Sequence, residues 1–151
     1  MKVFLATLLK FPFTQPKVDK DRVALGTNMR ALVVDDSSAM RSVLRMIFRK
    51  AGFEVTEASN GYEALSRLNE TAAPVDLAVV DWNMPVMNGY ELVSAIRSET
   101  RYNAMRIMMV TTESEIGHIQ SALAKGANEY VMKPFTPEII REKLQLLGFE
   151  C

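Results

Sequence analysis

Ala31-Leu32-Val33-Val34-Asp35-Asp36-Ser37-Ser38 is the first stretch of this chain with a clear physical reading. Four small or branched apolar residues are too few for a helix, and two aspartates end them abruptly. That combination predicts a strand buried on both faces. Ser37 or Ser38 is placed to cap a following helix. Its apolar positions Met40, Val43, Leu44, Ile47 and Phe48 keep helical spacing, and Arg41, Arg45 and Arg49 form the opposite, solvated stripe. Gly52 supplies a left-handed stop.

The same alternation continues downstream. Glu54–Ala58 reads as a second strand, and Asn60-Gly61 opens a short helix through Leu68. Leu77–Val80 is a third, buried strand ended by Asp81. A loop, Trp82–Asn88, leads to a helix from about Gly89 to Ser98. Ile107–Val110 is a fourth strand ended by Thr111 and Thr112, Ile116–Lys125 a helix stopped by Gly126, and Tyr130–Met132 a short fifth strand. Thr136–Leu147 is the last helix. Five strands alternating with five helices predict an α/β fold: one doubly wound parallel sheet covered on both faces.

Residues 29–151 account for this single domain, and residues 1–28 are expected to be a flexible N-terminal extension. Lys2 followed by Val3–Leu9 resembles the start of a signal peptide, but Lys10 interrupts the run and no small-x-small cleavage pattern follows. The run is also far short of the ~20 apolar residues of a membrane span. Either the segment is a loose arm, or Met29 is the natural start. Formal net charge is zero, yet residues 1–28 carry +3 and the remainder −3. An acidic domain without a basic stripe argues against direct nucleic-acid binding. Cys151 is the only cysteine, so no disulfide framework forms within the chain, which fits a reducing, cytoplasmic setting.

The polar residues fall at one kind of place. Asp35 and Asp36 follow strand one, Asp81 follows strand three, Thr111 follows strand four and Lys133 follows strand five. In a parallel sheet these ends share one edge, where ligands bind at the crevice of reversed strand order. If strands one and three are neighbours, three carboxylates meet in one cleft and repel one another unless compensated. A divalent cation is the obvious compensation, and an all-oxygen donor set without His or Cys favours Mg2+. Taken singly, either Asp could be a cap or turn residue, Thr111 a strand-end hydroxyl, and Lys133 a surface residue. Their joint placement carries the argument. His118 has no metal partner at useful spacing and reads as a surface residue. The ten methionines, Met105, Met108 and Met109 among them, read as core filler.

Val33-Val34-Asp35-Asp36-Ser37-Ser38, Asp81-Trp82-Asn83-Met84-Pro85-Val86-Met87-Asn88-Gly89, Val110-Thr111-Thr112 and Tyr130-Val131-Met132-Lys133-Pro134-Phe135 together resemble the signature blocks of response-regulator receiver domains. Stand-alone members of the chemotaxis type are the nearest in pattern, over roughly Met29 to Leu147. The resemblance implies the flavodoxin-like strand order 2-1-3-4-5 and makes Asp81 the phosphoacceptor. It further implies that Asp36, Asp81 and the backbone carbonyl of Asn83 hold Mg2+, with Asp35 helping directly or through water. Lys133 would pair with the phosphoryl oxygens, Thr111 would donate its hydroxyl to one of them, and Lys133-Pro134 would be a cis peptide. Tyr130 would be the readout residue that moves as Thr111 engages the phosphate; on its residue type alone it is equally a half-buried aromatic covering a strand edge. Asn83 and Glu113 would gate the water that removes the phosphoryl group.

The implied protein is no enzyme in the ordinary sense but a signalling switch. Its implied partners are a histidine kinase or histidine phosphotransfer protein and a phosphorylation-dependent effector, the flagellar motor switch being the first candidate. The implied effector face is helix four, strand five and helix five, with Ile119 and Tyr130. One departure weakens the motor assignment: enteric chemotaxis members begin helix four with two lysines, where this chain has Glu115 and Ile116. A phosphorelay shuttle, or a receiver-fold interaction module that no longer turns over phosphate, therefore stays open. A flavin carrier would need a small-residue phosphate loop after strand one, where Asp35-Asp36 would repel phosphate. A haloacid-dehalogenase-type phosphatase would need a second Asp two residues after its nucleophile, where this chain has Asn83.

Overall fold

The computed structural model describes residues 28–112 and 116–151. Five strands, β1 (Met29–Val34), β2 (Phe53–Ala58), β3 (Leu77–Val80), β4 (Arg106–Thr111) and β5 (Glu129–Met132), pair in parallel in the order β2-β1-β3-β4-β5. Between and after them run α1 (Ser38–Lys50), α2 (Gly61–Glu70), α3 (Gly89–Arg97), α4 (Ile116–Lys125) and α5 (Pro137–Leu146). The expected fold, strand order included, is the one found. Glu113, like residues 1–27, lies outside the described residues.

Strand period two sorts the core into halves. Ala31 and Val33, with Leu77, Val79, Met108, Val110 and Val131, meet Leu44 and Phe48 of α1 and Ile140 and Leu144 of α5. Leu32 and Val34, with Ala78, Val80, Ile107 and Met109, meet α2, α3 and α4 through Leu68, Leu92, Val93, Ile96 and Ala122. Every residue of β3 and β4 is buried, as strands covered on both faces must be. Met105, Met108 and Met109 are core residues, as expected. Each fully buried Leu, Ile or Phe contributes roughly 1.5–3 kcal/mol, so the two half-cores dominate the stability.

Local chemistry fixes the helix ends. The Ser37 hydroxyl accepts from Met40 N–H to start α1, Asn60 caps α2 through Glu63 N–H, and Thr136 caps α5 ahead of Pro137. Gly52 (φ 100°) and Gly126 (φ 123°) take the left-handed conformation their places after α1 and α4 require.

Several boundaries differ from the sequence expectation. β1 begins at Met29, because Met29 and Arg30 pair with Phe53 and Glu54 and Arg30 forms an ion pair with Glu54. β4 begins at a buried Arg106, whose guanidinium donates to the carbonyls of Leu147 and Ala104. α2 runs two residues further, and a 3-10 turn, Thr100–Tyr102, follows α3. The arginine stripe of α1 is not simply solvated: Arg41 and Arg45 both pair with Glu57 on β2 and are half-buried, and only Arg49 of the three is exposed.

Candidate functional site

The switch point of the sheet lies between β1 and β3, whose connections leave in opposite directions, and polar side chains gather there as expected. Asp81 follows β3 directly, its N–H donating to Val34 O at 2.9 Å, and so sits beside Asp35. Asp35, Asp36 and Asp81 each offer a carboxylate oxygen, all within 4.8 Å of one another; Asp35 and Asp81 are buried and Asp36 is exposed. Lys133, after β5, reaches across the sheet end. Its Nζ lies 2.9 Å from Asp35 Oδ2 and 3.4 Å from Asp81 Oδ1. The other Asp35 oxygen accepts from Ser37 N–H at 2.9 Å.

One ammonium does not compensate three carboxylates. Burial pushes the Asp81 carboxyl up to about 6, with the Asp35 and Asp36 charges adding to the rise and Lys133 opposing it. The donor set suits a small hard cation. Asp36, Asp81 and Asp35 would hold such a cation, which would offset the charge that Lys133 leaves uncompensated. Asn83 is exposed in the loop after β3, on the same edge.

Thr111 ends β4, buried, and its carbonyl accepts from Lys133 N–H at 2.9 Å. The Lys133-Pro134 peptide is cis, as expected. Thr111 and the half-buried Tyr130 line one small cavity of about 10 Å³, together with Trp82, Met109, His118 and Ile119. His118 is therefore no plain surface residue. It is half-buried, and its ring stacks on Trp82 with centroids 5.1 Å apart and planes 23° apart. Sequence reasoning missed this contact, because it joins residues on separate elements with no local spacing signal.

Gly89 was read only as a helix start, yet it is what allows α3 to approach the site. A Cβ there would collide with the backbone carbonyl oxygen of Asp81 and lie 2.9 Å from Trp82 Cα. Gly89 N–H donates to Trp82 O at 2.8 Å, and Asn88 and Glu91 form a reciprocal capping box just beyond it. The Asn88-Gly89 pair was the signal, since a cap residue followed by glycine marks a helix entry under tight backbone constraint.

No helix among the described residues is long and apolar enough to cross a membrane. Residues 31–145 match the family model described as response regulator receiver domain. The chain is 42% identical over 120 residues to chemotaxis protein CheY1 of Helicobacter pylori, covering 79% of this chain and 96% of that protein. It is 45% identical over 118 residues to the CheY homolog of Campylobacter jejuni, covering 78% and 90%. The solved structure of the chemotaxis response regulator CheY4 of Vibrio cholerae superposes with a TM-score of 0.74 at 38% identity, over 80% of this chain and 99% of that one. A five-stranded parallel sheet, an acidic cluster at its switch point and these matches over nearly whole relatives lead to one conclusion: the chain belongs to the response regulator receiver domain family, a signalling family of two-component and chemotaxis systems.

Proposed function

We propose that the protein accepts a phosphoryl group on Asp81 from a phosphohistidine of a partner kinase or phosphotransfer protein, in a Mg2+-dependent reaction, and thereby switches its effector-binding face. The observation that carries this reading is Asp81 itself: a buried carboxylate with Asp35 and Asp36 beside it and Lys133 Nζ 3.4 Å away. An Asp81 oxygen attacks phosphorus; a P–O bond forms as the P–N bond breaks, and the imidazole nitrogen leaves with the bonding electron pair. Little covalent machinery is needed beyond position and charge.

Asp36, Asp81 and the Asn83 backbone carbonyl would hold the cation, with Asp35 acting directly or through water. Mg2+ held there would supply positive charge against the phosphoryl oxygens and the clustered carboxylates. Lys133 exchanges its carboxylate partners for a phosphoryl oxygen, and the Thr111 hydroxyl donates to another. Tyr130, sharing a cavity with Thr111, then reports the change on the face formed by α4, β5 and α5. The names of the relatives favour a chemotaxis effector, for which the flagellar motor switch is the first candidate, with the protein acting in the cytoplasm. Asn83 and Glu113 would flank the path of the water that later removes the phosphoryl group, so Asn83→Lys should slow loss of label.

Labelling with acetyl phosphate in Mg2+ tests the proposal. Wild type takes up label, and Asp81→Asn takes up none while keeping its far-ultraviolet circular dichroism. Mg2+-dependent label in the folded variant would place the phosphoacceptor elsewhere, and an unlabelled wild type would favour a receiver-fold interaction module without phosphate turnover.

A further inference from the structure

Tyr130 carries a second tie that its assumed partner Thr111 does not explain. Lys143, in the last turn of α5, places Nζ 4.7 Å from the Tyr130 ring centroid and 2.8 Å from Glu129 Oε1. The same Glu129 oxygen accepts from Tyr130 N–H at 3.0 Å. Both charged side chains are largely withdrawn from solvent, at 12% and 13% exposure, so water screens the pair weakly. The ammonium is held in place by Glu129 and lies over the ring face, where an aromatic quadrupole attracts a cation.

A change of Tyr130 rotamer carries the ring off the ammonium and forfeits that attraction. We infer that Lys143, fixed by Glu129, is a positioning residue that latches Tyr130 in the rotamer accompanying Lys133 bound to Asp35, and so sets the threshold of the switch. The inference rests on the reading of Tyr130 as the switch residue. A cation–π contact withdrawn from solvent to this degree corresponds to roughly a fivefold to thirtyfold bias between two conformations. Linkage makes the effect reciprocal: whatever releases Tyr130 must tighten binding at the phosphoryl site by the same factor.

The test uses the full chain labelled with 3-fluorotyrosine, with the Tyr130 fluorine resonance assigned by its loss in Tyr130→Phe, and beryllofluoride with Mg2+ as the phosphoryl mimic. In Lys143→Met the Tyr130 resonance is expected to move toward its beryllofluoride-bound position before any ligand is added. The beryllofluoride dissociation constant is expected to fall about fivefold, and up to about thirtyfold. Loss of a cation would by simple electrostatics weaken binding of an anion, so this direction separates the latch from a general charge effect. Glu129→Gln should act the same way more weakly, and Lys143→Arg, which retains both contacts, should behave as wild type. The resonances of Tyr62, Tyr90 and Tyr102 show whether each variant is folded; if Lys143→Met is not, the ligand-free Tyr130 resonance of Glu129→Gln carries the test, since removing an anion would tighten beryllofluoride binding by electrostatics alone. A folded variant with unchanged Tyr130 resonance, or with unchanged or weaker beryllofluoride binding, overturns the latch. If beryllofluoride leaves the wild-type Tyr130 resonance in place, the switch reading fails and the latch falls with it.

Discussion

At the scale of single residues, the site holds its reactive group at a cost in stability. The folded Asp81 carboxyl is raised to about 6 from an ordinary 3.8, so the folded chain binds that proton more tightly than the unfolded chain does. Its contribution is therefore full below about pH 4 and is lost as pH rises through 6. In metal-free buffer Asp81→Asn, uncharged throughout, should be more stable than wild type by roughly 1–3 kcal/mol at pH 7, with the gap closing near pH 4. Saturating Mg2+ should raise the wild-type melting temperature and leave the variant nearly unmoved. Urea titrations with chelator at the two pH values decide it; a gap that widens at low pH would contradict the assigned cause. Val86 stores strain of another kind. It has φ 71°, a conformation costly for a β-branched residue, inside a γ-turn closed by Met87 N–H to Pro85 O at 2.8 Å. Its side chain is 82% exposed, so no burial offsets the strain. Val86→Gly releases about 1–3 kcal/mol of strain against about 0.5–1 kcal/mol of added chain freedom, and should raise the melting temperature by a few degrees. A lower melting temperature would mean that the turn gains something from valine.

At the scale of elements, the buried strands were legible because a strand covered on both faces needs an unbroken apolar run. The polar residues that end Ala31–Val34 and Leu77–Val80 then stand out as the candidate site. Less legible were contacts that join distant positions through long side chains. Lys133 and Asp35 meet across 98 residues of sequence, and the His118 ring finds Trp82 on another element. Arg106 hides a guanidinium in a strand whose charge argued for a later start. Arg97 shows why such residues escape a pattern search. It ends α3 like an ordinary basic residue, yet donates to the carbonyls of Gly126, Tyr102 and Met105 at 2.9, 2.8 and 2.7 Å and to Asn128 Oδ1 at 3.0 Å. It thus joins α3 to the turn before β4 and to the end of α4. Arg97→Met keeps much of the stem but removes all four bonds, and should lower stability by about 2–4 kcal/mol. Hydrogen exchange should quicken around Gly126–Asn128, with acetyl phosphate labelling retained below the melting range. A loss under about 0.5 kcal/mol would show that water replaces the guanidinium there.

At the scale of the whole molecule, the described residues pack into two half-cores, one on each face of the sheet. β1 begins at Met29, which packs against the α1 and α5 half-core, and the chain comes back to the same region at Phe149, whose ring lies 5.2 Å from that of Phe53. Among the described residues, the two half-cores run from Met29 to Phe149, and Lys133 meets Asp35 and Asp81 within the same stretch. Residues 1–28 carry mixed charge, Pro12 and Pro16, and no sustained amphipathic period, so they bring little that could add to the core. Residues 29–151 alone should therefore melt within a few degrees of the full chain and take label from acetyl phosphate at the same rate. Removing a +3 segment also leaves a domain of charge −3, so the shorter chain should bind more weakly to a cation exchanger without any change in its site. Side-by-side thermal melts and labelling time courses measure both quantities. A drop of more than about 10 °C, roughly 2–3 kcal/mol for a domain of this size, would mean that the first 28 residues dock on the receiver and contribute to its stability. An equal melting temperature with slower labelling would instead place them at the mouth of the phosphoacceptor cleft.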